Sequence, residues 1–281
     1  LAGYLSILFV ALICLFLLRE GLPALGSIQL SSLFGERWYP NENLYSIWPL
    51  LLGSIVVTVG ATLVAVPLGI GTAIYISEVA PATAKEILKP VVEILAGLPS
   101  VVLGFIGILI LVPFLRRFLN LPTGLTAFTG ALLLGFISIP TIVSISEDAL
   151  NTVPRSYREA SLAIGATPWQ TIWGVTLPAA RSGVVTAVML GIGRAMGETM
   201  AVMMVTGNAA ILPRSLNALF MPIRTMTATI ASEMGEVATG SPHYQMLFFI
   251  GIILFAISLA VNIVAFSLSK RKATRSERLL S

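Results

Sequence analysis

Residues 152–182 read TVPRSYREASLAIGATPWQTIWGVTLPAARS, and they decide how the rest of the chain is read. Ser156 followed by Glu159 has capping-box spacing, which predicts a helix starting there. Gly165 ends it, as a residue free to take the left-handed conformation just past a helix. Thr167 then caps a second helix, with Pro168 at its first position, and Pro178 stops it. Trp169, Ile172 and Trp173 are expected on one face of that second helix. The first helix is about nine residues, roughly 13 Å at 1.5 Å per residue, too short to cross a bilayer. Two short helices with an aromatic and a charged face make either a knob for a groove on another protein or an element lying against lipid.

Around this insert the chain is oily. Only 11% of its 281 residues are charged, less than half the usual share for a soluble domain. The expected fold is an all-α polytopic membrane protein, one transmembrane domain over residues 1–281. Apolar runs predict six spans, at about 2–18, 47–76, 94–115, 125–146, 183–207 and 245–268. The first run could also be read as a signal peptide cleaved near Ala24–Gly26, although no basic segment precedes it. The chain begins at Leu1 rather than Met, so a preceding segment is expected. Pro67, Pro99 and Pro140 fall inside spans, where neighbouring helices or a wet cavity must satisfy the freed backbone groups.

An even span count puts both termini on one side. Five basic residues crowd the C-terminal tail (Lys270, Arg271, Lys272, Arg275, Arg278). Beside a span such a tail reads as a cytoplasmic anchor near anionic lipid, not as a nucleic-acid site. Loops 77–93, 147–182 and 269–281 would then face the cytoplasm with ten Lys and Arg, against six opposite. The outer loop, about 208–244, contains Pro213, Pro222 and Pro242 and a helix expected over 225–238. It serves as a receptor for a soluble partner or as a cap over the spans. With the lone Cys14 and lone His243, neither a disulfide framework nor a His- or Cys-based metal site is expected.

The fifth span contains LGIGRAMGETMAV, residues 190–202. Arg194 lies about 16 Å into it, near the midplane of a core about 30 Å thick. Each ion there costs about 2.5–3.5 kcal/mol on insertion scales. Arg194 and Glu198, at i and i+4, are expected to share a helix face. Gly193 and Gly197 form a GxxxG ridge, extended by Gly191, that lets another helix approach. The pair is either a buried ion pair that fixes packing or part of a path for an anion, whose oxygens suit a guanidinium fork. Stability alone explains it poorly, since buried pairs are often replaceable by apolar residues.

Two sets of residues carry a resemblance. Glu159-Ala160-Ser161, then Gly165, then Val175-x-Leu177-Pro178 resembles the EAA loop of ABC importer permeases, with Ser161 for the second Ala and Val175 for Ile. In that family the loop is the coupling helix that docks into a cytoplasmic ATPase. LGIGRAMGETMAVMMVTGN (190–208) is similar to the fifth span of the phosphate-specific permeases of the PstC type. AVPLGIGTAIYISEVAP (65–81), ILAGLPSVVLGFIG (94–107) and TATIASEMGEV support the match from about residue 45 onward. The resemblance implies a type I ABC importer permease in the cell membrane, passing inorganic phosphate. It implies a PstA-type permease as partner, two PstB-type ATPases that use ATP and Mg, and an outer PstS-type phosphate-binding protein. It places Arg194 and Glu198 on the translocation path, with Thr199 beside them.

The chain has no P-loop of its own, so ATP energy must come from a partner. Rival readings are a proton-coupled secondary anion transporter with Glu198 carrying the proton, an importer of another oxyanion, and an intramembrane enzyme. The EAA-like loop argues against the first, and the scarcity of activated nucleophiles against the last.

Overall fold

The structure is a computed structural model that describes residues 2–28, 30–212 and 216–277. Arg278 of the basic tail and Pro213 of the outer loop lie outside the described residues. The principal helices are α1 (Ala2–Gly21), α2 (Trp48–Ile74), α3 (Ala82–Gly97), α4 (Ser100–Phe118), α5 (Ala127–Asn151), α6 (Arg155–Ala163), α7 (Pro168–Ala179), α8 (Arg181–Gly197), α9 (Met200–Val205), α10 (Met226–Glu233) and α11 (Pro242–Glu277). The protein is a helical membrane protein. Among the described residues five helices are long and apolar enough to cross a bilayer, six if α7 and α8, bent by 74° at Ala180, count as one.

Two expected spans are redrawn. The stretch 94–115 is split: residues 94–97 close α3, Leu98 and Pro99 are non-helical, and the span begins at Ser100. Proline removes a donor and restricts the residue before it, which accounts for the break. The stretch 183–207 is not one helix either, because α8 ends at Gly197 and α9 starts at Met200. Pro67 and Pro140 stay inside α2 and α5. Helical turns widen to the π form at Tyr75–Val79, Gly107–Leu111 and Ile172–Thr176.

Contacts group the chain into two compact units. One comprises Leu1–Val59, Ser100–Leu133 and Gly197–Leu259; the other comprises Gly60–Pro99, Leu134–Met196 and Ala260–Ser281. In the first unit α4 and α9 pack closely where Gly104 meets Ala201, so near that a Cβ on Gly104 would lie 2.9 Å from the Ala201 Cα. Residues from the α1–α2 connection, α10 and α11 form a cap whose core is Trp38, Tyr45, Leu50, Met226, Met246 and Ile250. A two-residue antiparallel ladder, Trp38–Tyr39 with Leu44–Tyr45, is its only sheet among the described residues.

The cap closes over one carboxylate. Glu233 accepts from Trp38 Nε1 at 3.0 Å, lies 2.8 Å from His243 Nε2 and pairs with Arg224. Burial, with the Glu233 charge beside it, pushes the Tyr45 phenol above its usual range. The helix expected over 225–238 spans only Met226–Glu233, with Thr225 capping it through Ala228 N–H. Past Glu233 the chain turns so that this carboxylate can gather its partners.

In the second unit the ends of α2 and α5 pack with α7 and α8 through Ala73, Ile74, Leu150, Ile172 and Val184. Gly191 lies so near α5 that a Cβ on it would sit 2.5 Å from Ile142 Cγ1. A Cβ on Gly193 or Gly197 would meet nothing within 4 Å among the described residues. Of the three glycines expected to form a packing ridge, Gly191 packs against α5, and Gly193 and Gly197 have open space beside them among the described residues.

Candidate functional site

Arg194 is in the last turn of α8. Its Nη1 donates to Thr141 Oγ1 at 2.9 Å, and its Nη2 to the Ala96 carbonyl at 3.2 Å. Ala96 belongs to the end of α3, where backbone carbonyls lack helical partners and attract a cation. Thr141 directly follows Pro140 in α5. A guanidinium has five N–H donors. Two are engaged here, and no further partner is recorded for the rest among the described residues. The cation is therefore anchored on one side and keeps donors in hand.

Sequence spacing put Glu198 on the same helix face as Arg194. The structure corrects this. Thr199 Oγ1 donates to the Gly197 carbonyl at 3.2 Å, and Glu198 Oε1 accepts the Thr199 N–H at 3.2 Å. Thr227 Oγ1 donates to the Glu198 carbonyl at 3.0 Å. These side-chain bonds take up backbone groups that a helix ladder would use, so the helix stops. Arg194 is helical; Glu198 and Thr199 occupy a non-helical link of the chain. Broken helices at membrane depth are tolerated where protein or a water-lined cavity surrounds them.

The insert at 152–182 has the expected plan with different details. Helix α6 has nine residues, but it starts at Arg155 after Pro154 and not from a Ser156 cap. Gly165 has φ +90°. Its N–H bonds Leu162 O, and the Ala166 N–H bonds Ser161 O, a Schellman end. Thr167 and Gln170 cap α7 reciprocally, with Pro168 at its first position. Pro178 does not end α7, which runs to Ala179. Nor do the three apolar residues share a face: the π turn puts Ile172 inside at 5% exposure while Trp169 and Trp173 stay about 60% exposed.

Within the EAA-like motif, Glu159, Ala160, Gly165 and Pro178 are exposed, and Val175 and Leu177 are half-buried. Ser161 is buried, its hydroxyl 3.0 Å from Thr171 Oγ1, a bond that alanine could not make. Exposed Ile164 and both tryptophans give the knob an apolar outer surface. Below it, Arg158 Nη2 and Nε meet Glu78 at 2.6 and 3.1 Å. Nearby, Lys89 pairs with Glu147 at 3.0 Å. That hydrogen bond holds the Lys89 proton above the usual lysine range. Sequence reasoning missed Thr141, Ala96, Glu78 and Arg158. A threonine after a span proline was a usable signal, whereas a backbone carbonyl and pairings 80 residues apart leave none.

Residues 65–274 match the family described as the inner membrane component of binding-protein-dependent transport systems. The chain belongs to that family. The permease is 41% identical over 266 residues to a probable ABC transporter permease protein, YqgH, of Bacillus subtilis, covering 92% of this chain and 85% of that one. It is 36% identical over 261 residues to the phosphate transport system permease protein PstC of Mesorhizobium japonicum, covering 86% and 79%. Among solved structures, the inward-facing MetNI methionine ABC transporter matches with a TM-score of 0.58 and 20% identity, over 80% of this permease and 93% of that chain. A bacterial alginate ABC transporter gives 0.61 and 13%, over 96% and 94%. These likenesses show the fold, that of a type I ABC importer permease.

Proposed function

We propose that the permease is the PstC-type half of an ATP-driven importer of inorganic phosphate. The observation that carries this reading is Arg194, a permanent cation near the middle of the apolar stretch 181–205, anchored by Thr141 and Ala96 and retaining donors for oxyanion oxygens. Relatives named as phosphate permeases support it. Arg194 offers the passing anion a brief foothold. Glu198 and Thr199 belong to the same path on chain position and family resemblance, with Glu198 supplying the negative charge that keeps occupancy short.

The partners in this reading are a PstA-type permease, two PstB-type ATPases that bind ATP and Mg, and a PstS-type phosphate-binding protein. Both termini face the cytoplasm. The open faces of Gly193 and Gly197 suit close approach by a helix of the second permease. Knob residues Glu159, Ala160, Gly165 and Pro178 present the docking surface to the ATPase. Reconstitution of the permease with these partners in liposomes tests the reading. Labelled phosphate should enter only with ATP and in preference to sulfate. Uptake driven by a proton gradient without ATP, or a preference for another oxyanion, would refute it.

Gly165→Val tests the docking role of the loop. A Cβ at Gly165 meets nothing within 4 Å, so the position demands a dihedral and not space. A side chain in the left-handed region costs about 1–2 kcal/mol, or about tenfold in an equilibrium. The ATPase is expected to bind the variant about tenfold more weakly in a titration. Unchanged binding would mean that the turn does not shape the docking surface.

A further inference from the structure

We infer that Arg158 is a positioning residue that ties the docking helix α6 to the ends of α2 and α5, so that movement of the ATPase reaches the spans. The inference rests on the docking reading above.

Helix α6 has only nine residues, and its one buried residue is Ser161. Helices this short do not persist alone in water, and apolar burial supplies almost nothing to hold this one. Polar contacts must do so. Arg158 places a two-pronged fork on Glu78, in the π turn that follows α2. The same guanidinium donates to Val153 O at 2.7 Å and Leu150 O at 2.9 Å, where α5 runs out. Glu78 is 9% exposed and Arg158 21%.

The bonding continues beyond this pair. Ser77 Oγ lies 3.0 Å from Asn151 Oδ1, Asn151 Nδ2 donates to Glu147 at 2.7 Å, and Glu147 meets Lys89 of α3. One guanidinium thus bridges three segments, and a hydrogen-bonded chain extends the link to a fourth. A planar fork that satisfies a carboxylate and two carbonyls together is beyond lysine or glutamine. Removing one partner leaves the other charge largely buried and uncompensated.

The test uses the assembled transporter in nanodiscs, with Arg158→Gln, Glu78→Gln and the double variant. Three quantities are read: ATPase retention, phosphate moved per ATP hydrolysed, and amide hydrogen exchange over residues 155–164. The ATPase should stay bound and hydrolysing while phosphate moved per ATP falls about tenfold, within the range of couplings between sites. Exchange over 155–164 should quicken by a similar factor. The double variant should be no worse than either single one, because the link is lost once. An unchanged transport ratio, unchanged exchange, or loss explained wholly by ATPase release would overturn the inference. If the wild-type complex hydrolyses ATP and moves no phosphate, the phosphate reading fails, and exchange alone then decides the brace.

Discussion

Arg194→Gln in the assembled transporter is expected to lower phosphate uptake by more than a hundredfold while ATP hydrolysis continues. Glutamine can still reach a hydroxyl or a carbonyl, so the Thr141 and Ala96 contacts have a partial substitute. What goes is the charge and the fork. A hydrogen bond to a charged group contributes about 1.5–3 kcal/mol, and two lost from the anion in passage give roughly 3 kcal/mol or more, about two powers of ten in rate. Arg194→Lys, which keeps the charge without the fork, should fall between. Thr141→Val leaves the cation but frees its anchor, and should weaken uptake less than Arg194→Gln. The measurement is labelled phosphate entering liposomes beside ATP consumed in the same vesicles. Uptake close to wild type in Arg194→Gln would reduce this arginine to a packing element.

The second large effect concerns the cap. Glu233→Ala removes the acceptor shared by Trp38, Arg224 and His243. Among the described residues Arg224 would keep only Ser232 as a side-chain partner, and its Nε is already buried without one. Trp38, 2% exposed, would hold an unsatisfied indole N–H. Breaking a largely buried ion pair by deleting one member costs about 3–5 kcal/mol. The cap should therefore open at lower denaturant, read by tryptophan fluorescence in detergent. Glu233→Gln, which retains an acceptor oxygen, should lose less. An unchanged midpoint in Glu233→Ala would show that the cluster adds nothing to stability.

Legibility followed how far each feature reaches along the chain. Gly165, Thr167 and Pro168 were readable because each answers a local demand: a left-handed dihedral, an N-terminal cap, a first-turn residue without an N–H. The break at Glu198 was not, because hydrophobic character runs straight through RAMGETMAV and one of the bonds that fix it comes from Thr227. The Ser156 cap failed since Pro154, with φ −57° and ψ 140°, already turns the chain into α6 at Arg155. Arg194 itself stood out, as any cation in an apolar run must. Its anchors did not, because one is a hydroxyl 53 residues away and the other a backbone carbonyl.

The π turn at Ile172–Thr176 also bears on how tolerant the permease is to changes in length. A widened turn holds a surplus residue, so deleting Gly174 could restore an ordinary helix without opening a gap. Each residue sets the helix phase by about 100°. The wide turn has already absorbed one such step, so the deletion would keep the ladder intact and leave Trp169 aligned with Leu177 and Pro178, a change of length without a change of facing.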